Sequence, residues 1–405
     1  MPDFNFSPKI IAGLIAAYIA SAGVTYAITP APSPLISPGS TVTQEEPGKS
    51  GSFLQYANEP KTEVCPLNGA LYSKSEKALW ERRRPILTMI ENHTDARPQS
   101  GLSLADIVYE AVAEGGITRF MGVFYCGAQQ DVARVAPVRS ARMYFVNLAA
   151  EYNTPIFMHV GGGNCSRDEA SKQCTSNKKA WAIEELAKLG WRKPQGNDFD
   201  TISDIGYPVM LRDYNRLGAD KQLATEHTMV GSLPAAWKEA EKRGYAALMP
   251  AGSTWLSGFT TWKFDAESNV TGSPATNVKF DFWANYNDFT VEWKYDPASK
   301  AYLRNQGGQP QTDLDTTTQL KASAVVIQYV KEEGPLDEHK HMYYEVVGTG
   351  KGLLFQGGKG MEINWKKAKQ TGKTIFTDKS GKEVVFLPGQ IWIELLPSAS
   401  KVTYQ

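Results

Sequence analysis

Residues 82–125 read RRRPILTMIENHTDARPQSGLSLADIVYEAVAEGGITRFMGVFY. Two apolar, β-prone runs bracket the stretch, RPILTMIEN at 84–92 and ITRFMGVFY at 117–125, and both predict strands. Between them Asp106, Glu110 and Glu114 recur every four residues. That spacing puts all three on one face, whether the segment is a strand or a helix. Like charges on one face repel, and crowded carboxylates hold their protons unless cations compensate. Arg119 in ITRF, with Arg139 and Arg142 in PVRSAR, are the nearest cations, and a guanidinium can grip a carboxylate in a bidentate fork. An arginine–carboxylate network is therefore expected, either closed on itself or open to a ligand.

Further along, Ser140 stands as N-cap to the helix-like SARMYFVNLAAEYN, and 155–160 reads as a strand ending in Gly161-Gly162-Gly163. Asn177 precedes KKAWAIEELAKL, which stops at Gly190, and Pro234 opens AAWKEAEKR, which stops at Gly244. Beyond them FTVEWKY, AVVIQYV, MYYEVVG, GLLFQGG, MEINW, EVVFLP and IWIEL are separated by turn residues, the pattern of antiparallel strands. The fold class expected is α+β: a mixed α/β domain over 65–250, then a mainly antiparallel β domain over 251–405, preceded by one transmembrane helix. Trp262, Trp283, Trp293, Trp365 and Trp392 are expected to supply core, a sugar-stacking face being the alternative.

The transmembrane expectation rests on 10–29, IIAGLIAAYIASAGVTYAIT, which carries no charge over the length a helix needs to cross a bilayer. Lys9 precedes it and the first charges after it are Glu45 and Glu46. Residues 1–9 then stay cytoplasmic and the folded part is exported, with a signal peptide cleaved near Ala20-Ser21-Ala22 as the alternative. Residues 30–64 hold prolines at 30, 32, 34, 38, 47 and 60 and read as an extended linker. Cys65, Cys126, Cys165 and Cys174 all follow it. Four cysteines in an exported, oxidising compartment predict two disulfides, Cys165 with Cys174 as the local pair leaving Cys65 with Cys126; other pairings and free buried thiols stay open. No CxxC occurs and no histidine lies at ligand spacing beside these cysteines, so no metal is expected. The 405 residues balance 43 basic against 43 acidic side chains, which excludes a global basic field and with it a general nucleic-acid binder.

The opening stretch, followed by APVRSARMYFVNLAAEY and FMHVGGG, resembles the N-terminal module of the YerB-like family of bacterial envelope proteins. EWKYDPASKAYLRN, GTGKGLLFQGGKGMEINWKK and VVFLPGQIWIELLP resemble its C-terminal module. The resemblance implies a two-module, extracytoplasmic, membrane-attached protein with no established activity. Many relatives look like lipoproteins, which need a cysteine just after the signal segment; none precedes Cys65, so lipid anchoring is expected to be replaced by a transmembrane anchor or lost. Where the family pattern leads one to expect Pro-His, this chain has Pro310-Gln311.

Strand ends feeding loops are common places for sites. Glu91 and His93 end one expected strand and His159 ends another. Arg119, Arg139 and Arg142, with backbone N–H groups at Gly161 and Gly162, could bind a phosphate or carboxylate. The function expected is a membrane-anchored extracytoplasmic protein that binds or organises a cell-envelope polymer or an envelope protein partner. The alternative is a hydrolase or transferase of wall glycan or peptide, with Glu91 paired to Glu110 or Glu114 as acid and base, and His93, His159 or His227 carrying protons. No GxSxG, HExxH or cysteine-nucleophile motif is present, and no cofactor is expected.

Overall fold

Strand β1 (Ile86–Glu91) is buried at every position, as an apolar run without polar alternation requires of a strand covered on both faces. The computed structural model describes residues 58–405 apart from 130–131, 168–172 and 249–251. The expected transmembrane segment, the N-terminal tail and most of the linker lie outside the described residues. Among those described, no helix is long and apolar enough to cross a membrane. Residues 63–64 of the expected linker pair with Leu71–Tyr72.

Beside β1 run β2 (Ile107–Glu114), β3 (Ile117–Phe124), β4 (Ile156–His159) and β5 (Asp198–Asp200). A second group comprises β6 (Asn277–Asp281), β7 (Thr290–Asp296) and β8 (Ala301–Gln306). A third comprises β9 (Ala324–Glu333), β10 (Gly348–Gln356), β11 (Lys359–Lys367) and β12 (Ile391–Pro397). Among the described residues one sheet runs through the first and third groups in the order β11-β10-β9-β12-β2-β3-β1-β4-β5. Half of the neighbours are antiparallel, while β9 with β12, β12 with β2, β1 with β4 and β4 with β5 are parallel. The β12–β2 pairing sets Ile391 beside Ile107 and Glu394 beside Glu110, so one hydrogen-bonded ladder joins residues almost 300 apart in sequence.

Strands β6, β7 and β8 form a separate antiparallel sheet with the C-terminal Val402–Tyr404. It packs on the long sheet through Trp293 and Trp392, which meet edge to face with centroids 5.2 Å apart. Trp262, Trp293, Trp365 and Trp392 are buried core, and Trp283 is half-buried against it.

Helices are short: α1 (Lys74–Trp80), α2 (Met143–Ala149), α3 (Ala182–Lys188) and α4 (Leu233–Lys242). The start of α2 corrects the expectation at Ser140, because its N-cap is Arg142. Residues 138–141 remain extended instead: Val138 bridges to Ile90, Arg139 N donates to Met89 O, and Ala141 bridges to Gly162. Sheet-like bonds outcompete the helix at the point where both arginines must leave the backbone. At α4 the Ser232 hydroxyl accepts from Ala235 N, with Pro234 in the first turn, and Gly244 follows at φ 80°. Cys65–Cys126 and Cys165–Cys174 are both disulfides.

Candidate functional site

The β2–β3–β1 register sorts the charged residues onto two faces. Residues directly opposite across an antiparallel ladder share a face, so Ile90, Phe120 and Glu110 point one way while Glu91, Arg119 and Ala111 point the other. A register shift between Val112 and Glu114 sets Glu114 opposite Ile117. This bulge turns Glu114 to the Arg119 side, so the single face expected for Asp106, Glu110 and Glu114 is replaced by two. Asp106 itself lies just before β2. Its carboxylate accepts from Tyr125, Cys126 and Gly127 N–H and from Asn68, beside the Cys65–Cys126 disulfide. Burial pushes Asp106 up to about 7 against the pull of those backbone donors.

The Glu110 face is closed. Glu110 and Glu394, neighbours across the β2–β12 ladder, both accept from Arg304 of β8, at 2.5 and 2.8 Å, and all three are fully buried. The Arg304 Nε donates to Gln311 at 2.6 Å, Gln311 donates to Gln99, and the guanidinium lies 4.5 Å from the Trp392 ring centroid. Thr118 and Asn92 donate to the other Glu110 oxygen. Burial pushes Glu394 up to about 8 and Glu110 beside it adds to the rise, against the pull of Arg304. Gln311, where the family resemblance leads one to expect histidine, is a hydrogen-bond link in this network.

The opposite face is open and cation-rich. Glu114 receives Arg119 at 2.6 Å and Arg142 at 2.5 Å. Burial would raise its pKa, but the two guanidiniums outweigh burial and hold it at about 2. Arg119 also donates to Ser140 O and Arg142 to Ala141 O. Arg139 Nε stands 3.2 Å from Glu91 Oε1, and Glu91 Oε2 accepts from His227 Nδ1 at 2.9 Å. The buried Nε atoms of Arg119, Arg139 and Arg142 make no hydrogen bond. Burial and the neighbouring Arg119 lower the pKa of both Arg139 and Arg142. Side chains remain reachable: Arg139 is 26% exposed and Glu114 24%. His93 stacks on His227 with centroids 5.1 Å apart. Residues 337–341 close the rim, where His341 bridges to Glu114 through the backbone and pairs with Asp337 at 2.7 Å.

Of the residues singled out from sequence, Glu91, His93, Glu114, Arg119, Arg139, Arg142 and His227 come together, while Glu110 and His159 lie elsewhere. His159 is fully buried, its Nδ1 on Gly161 O at 2.7 Å and its Nε2 on Asp198 at 2.5 Å. Burial would discharge the ring, but Asp198 and Asp200 outweigh it and raise its pKa. With an acceptor at each nitrogen the ring is an imidazolium, and Arg192 balances the second carboxylate. The Gly161 N–H is spent on Asp200 and the Gly163 N–H reaches Ala141 O, so the glycine turn braces the 139–142 segment.

Sequence reasoning passed over Arg304, Glu394, Asp337 and His341. It also missed a fully buried Glu151 that meets Lys367 at 3.0 Å and Lys373 at 3.3 Å. Burial lowers Lys373 to about 8, and its ammonium lies 3.7 Å from the Trp262 centroid. For Arg304 and Glu394 a signal existed: alternation in AYLRN places Arg304 on the face of Tyr302, and Glu394 interrupts the apolar IWIELL. Open clefts of about 570 Å³ beside Trp365 and about 470 Å³ beside Gly360 lie on the β10–β11 side, away from the arginines.

Comparison with known proteins gives a consistent match. Residues 71–245 match the family described as "Protein of unknown function (DUF3048) N-terminal domain", and 278–393 match the corresponding C-terminal domain. The chain is similar to a Bacillus subtilis (strain 168) protein described as "Putative lipoprotein YerB", 32% identical over 82% of this chain and 86% of that one. It is also similar in structure to a crystal structure of the YerB protein from Bacillus subtilis, with a TM-score of 0.63 and 29% identity over 84% of this chain and all of the other.

Proposed function

This chain belongs to the DUF3048 family, and from that premise we propose that it is a membrane-attached extracytoplasmic protein that binds an oxyanion group, phosphate or carboxylate, of a cell-envelope polymer. The observation that carries this reading is the charge imbalance of the open face. Three guanidiniums are ion-paired with two carboxylates there, Glu226 adding a longer-range attraction on Arg139, and the buried Nε–H of Arg119 and of Arg142 has no hydrogen-bond partner while that of Arg139 has only the Glu91 ion pair at 3.2 Å. Planar donors that match carboxylate and phosphate oxygens are thus only half used. An incoming oxyanion would accept at Arg139 and relieve the repulsion among the three. The apolar 10–29 segment, the two disulfides and a relative described as a lipoprotein support the location.

The test is retention of the full chain on purified envelope polymer, compared with Arg139→Gln and with Arg304 intact in both. We expect retention to fall at least tenfold in Arg139→Gln and to weaken with added salt. Equal retention of the two proteins would overturn the proposal. A second reading, cleavage of wall glycan or peptide, draws on the Glu91–His227 hydrogen bond, which orients an imidazole as acid–base catalysis requires. New products in the mass spectrum of polymer incubated with the protein, lost in Glu91→Gln, would favour it over binding alone.

A further inference from the structure

We propose that His93, Asp95 and His227 bind one divalent transition-metal ion of borderline softness, zinc being the natural probe. Each offers one ligand atom, and the three atoms lie within 4.8 Å of one another. Imidazole and carboxylate are the donor set such ions take, at about 2.0–2.2 Å, with ligand atoms then about 3.3 Å apart. Closing that gap requires the His93 ring to turn from its stacked position on His227, and His93 and Asp95, 34% and 71% exposed, have room to move.

The second observation is the setting of His227. Its side chain is 8% exposed, and its Nδ1–H is fixed on Glu91 Oε2 at 2.9 Å. With the proton held at Nδ1, the Nε2 lone pair is left to coordinate. A carboxylate behind a histidine is the usual outer support of a metal ligand, fixing tautomer and ring direction. Glu91 is itself held by Arg139 at 3.2 Å. His93 Nδ1 accepts from Asp95 N–H at 3.2 Å, a bond that coordination through that nitrogen would displace; the two residues sit in one turn of 3-10 helix with His93 as its N-cap. The local charge favours a cation, because Glu91, Asp95 and Glu226 surround the two rings against Arg139 and Arg216. Three protein ligands leave a coordination position open to water.

The other grouping of this kind, Cys65, Asp106 and Cys126, is closed by its disulfide. The proposal does not depend on anion binding, because it is tested with the metal alone. Zinc is titrated calorimetrically into the full chain in a buffer free of phosphate and polymer. One equivalent is expected, with affinity at least tenfold lower in His93→Ala and in Asp95→Asn, both exposed enough to leave the fold intact. Glu91→Gln should weaken binding about 10–100-fold through loss of the outer support. His339→Ala, at a ring that is 66% exposed and outside the ligand group, should bind as the unmodified protein does. No uptake of zinc, or equal uptake by the unmodified chain, His93→Ala and Asp95→Asn, would overturn the proposal.

Discussion

The two faces of the β2–β3 ladder use the same residue types and do opposite things. On one face Arg304 spends donors on Glu110, Glu394 and Gln311, excludes solvent, and is sandwiched by aromatic rings. On the other, Arg119, Arg139 and Arg142 outnumber their ion-paired partners Glu114 and Glu91, their buried Nε atoms make no hydrogen bond, and Arg139 and Glu114 are partly exposed. A fully buried ion cluster between two sheets holds them in register, even with Glu394 Oε2 left without a hydrogen-bond partner. The partly exposed cluster on the other face is where we propose a ligand binds. What separates them is a single bulge that takes Glu114 away from the Glu110 face.

The largest expected effect breaks the closed side. Arg304→Met leaves Glu110 and Glu394 buried without their cation and should cost about 3–5 kcal/mol in denaturant unfolding. A loss below about 1 kcal/mol would show that the closed cluster does not hold the sheets together. The same measurement on Arg139→Gln sharpens the contrast: at this quarter-exposed position the change should stay within about 1 kcal/mol while envelope binding is lost. A stability loss as large as that of Arg304→Met would make the open face structural too.

The smallest effect is one of pH. The folded pKa of Glu394, about 8, lies above its ordinary value of 4.5. Its contribution is therefore full below about pH 4.5 and fades as the pH rises to about 8. Glu394→Gln keeps the neutral form throughout, so it should gain on the unmodified protein progressively across that window; a constant difference would contradict the assignment. Glu114, held at about 2, has the opposite sign, its contribution being lost as the pH falls below about 4.5. Removing that carboxylate with Glu114→Gln should flatten the acid limb of unfolding, and an unchanged limb would count against its double arginine pairing.

Strands β1 and β3 and helices α3 and α4 were legible in sequence because local signals decide them: apolar runs without breaks, caps, and a glycine at each helix end. The β12–β2 pairing was not, since nothing local in IWIEL says that its neighbour lies at residues 107–110. The bulge at 112–114 was equally hidden, although Gly115-Gly116 directly after it marks the tight turn into β3, both with positive φ. For the site, the identity of the three arginines was readable from ITRF and PVRSAR. Which carboxylate they would meet was not, because a one-residue slip in register exchanges the two faces. His159 looked like a proton carrier at a strand end; only the fold brings Asp198, Asp200 and Arg192 around it.

The most direct test follows the arginine Nε–Hε signals of the full chain by NMR while an envelope-polymer fragment bearing phosphate or carboxylate groups is titrated in. The signals of Arg119, Arg139 and Arg142 should shift together and saturate, while that of Arg304 stays where it is. Saturation without movement of these three, or equal movement of Arg304, would contradict the division of the molecule into a closed and an open charged face.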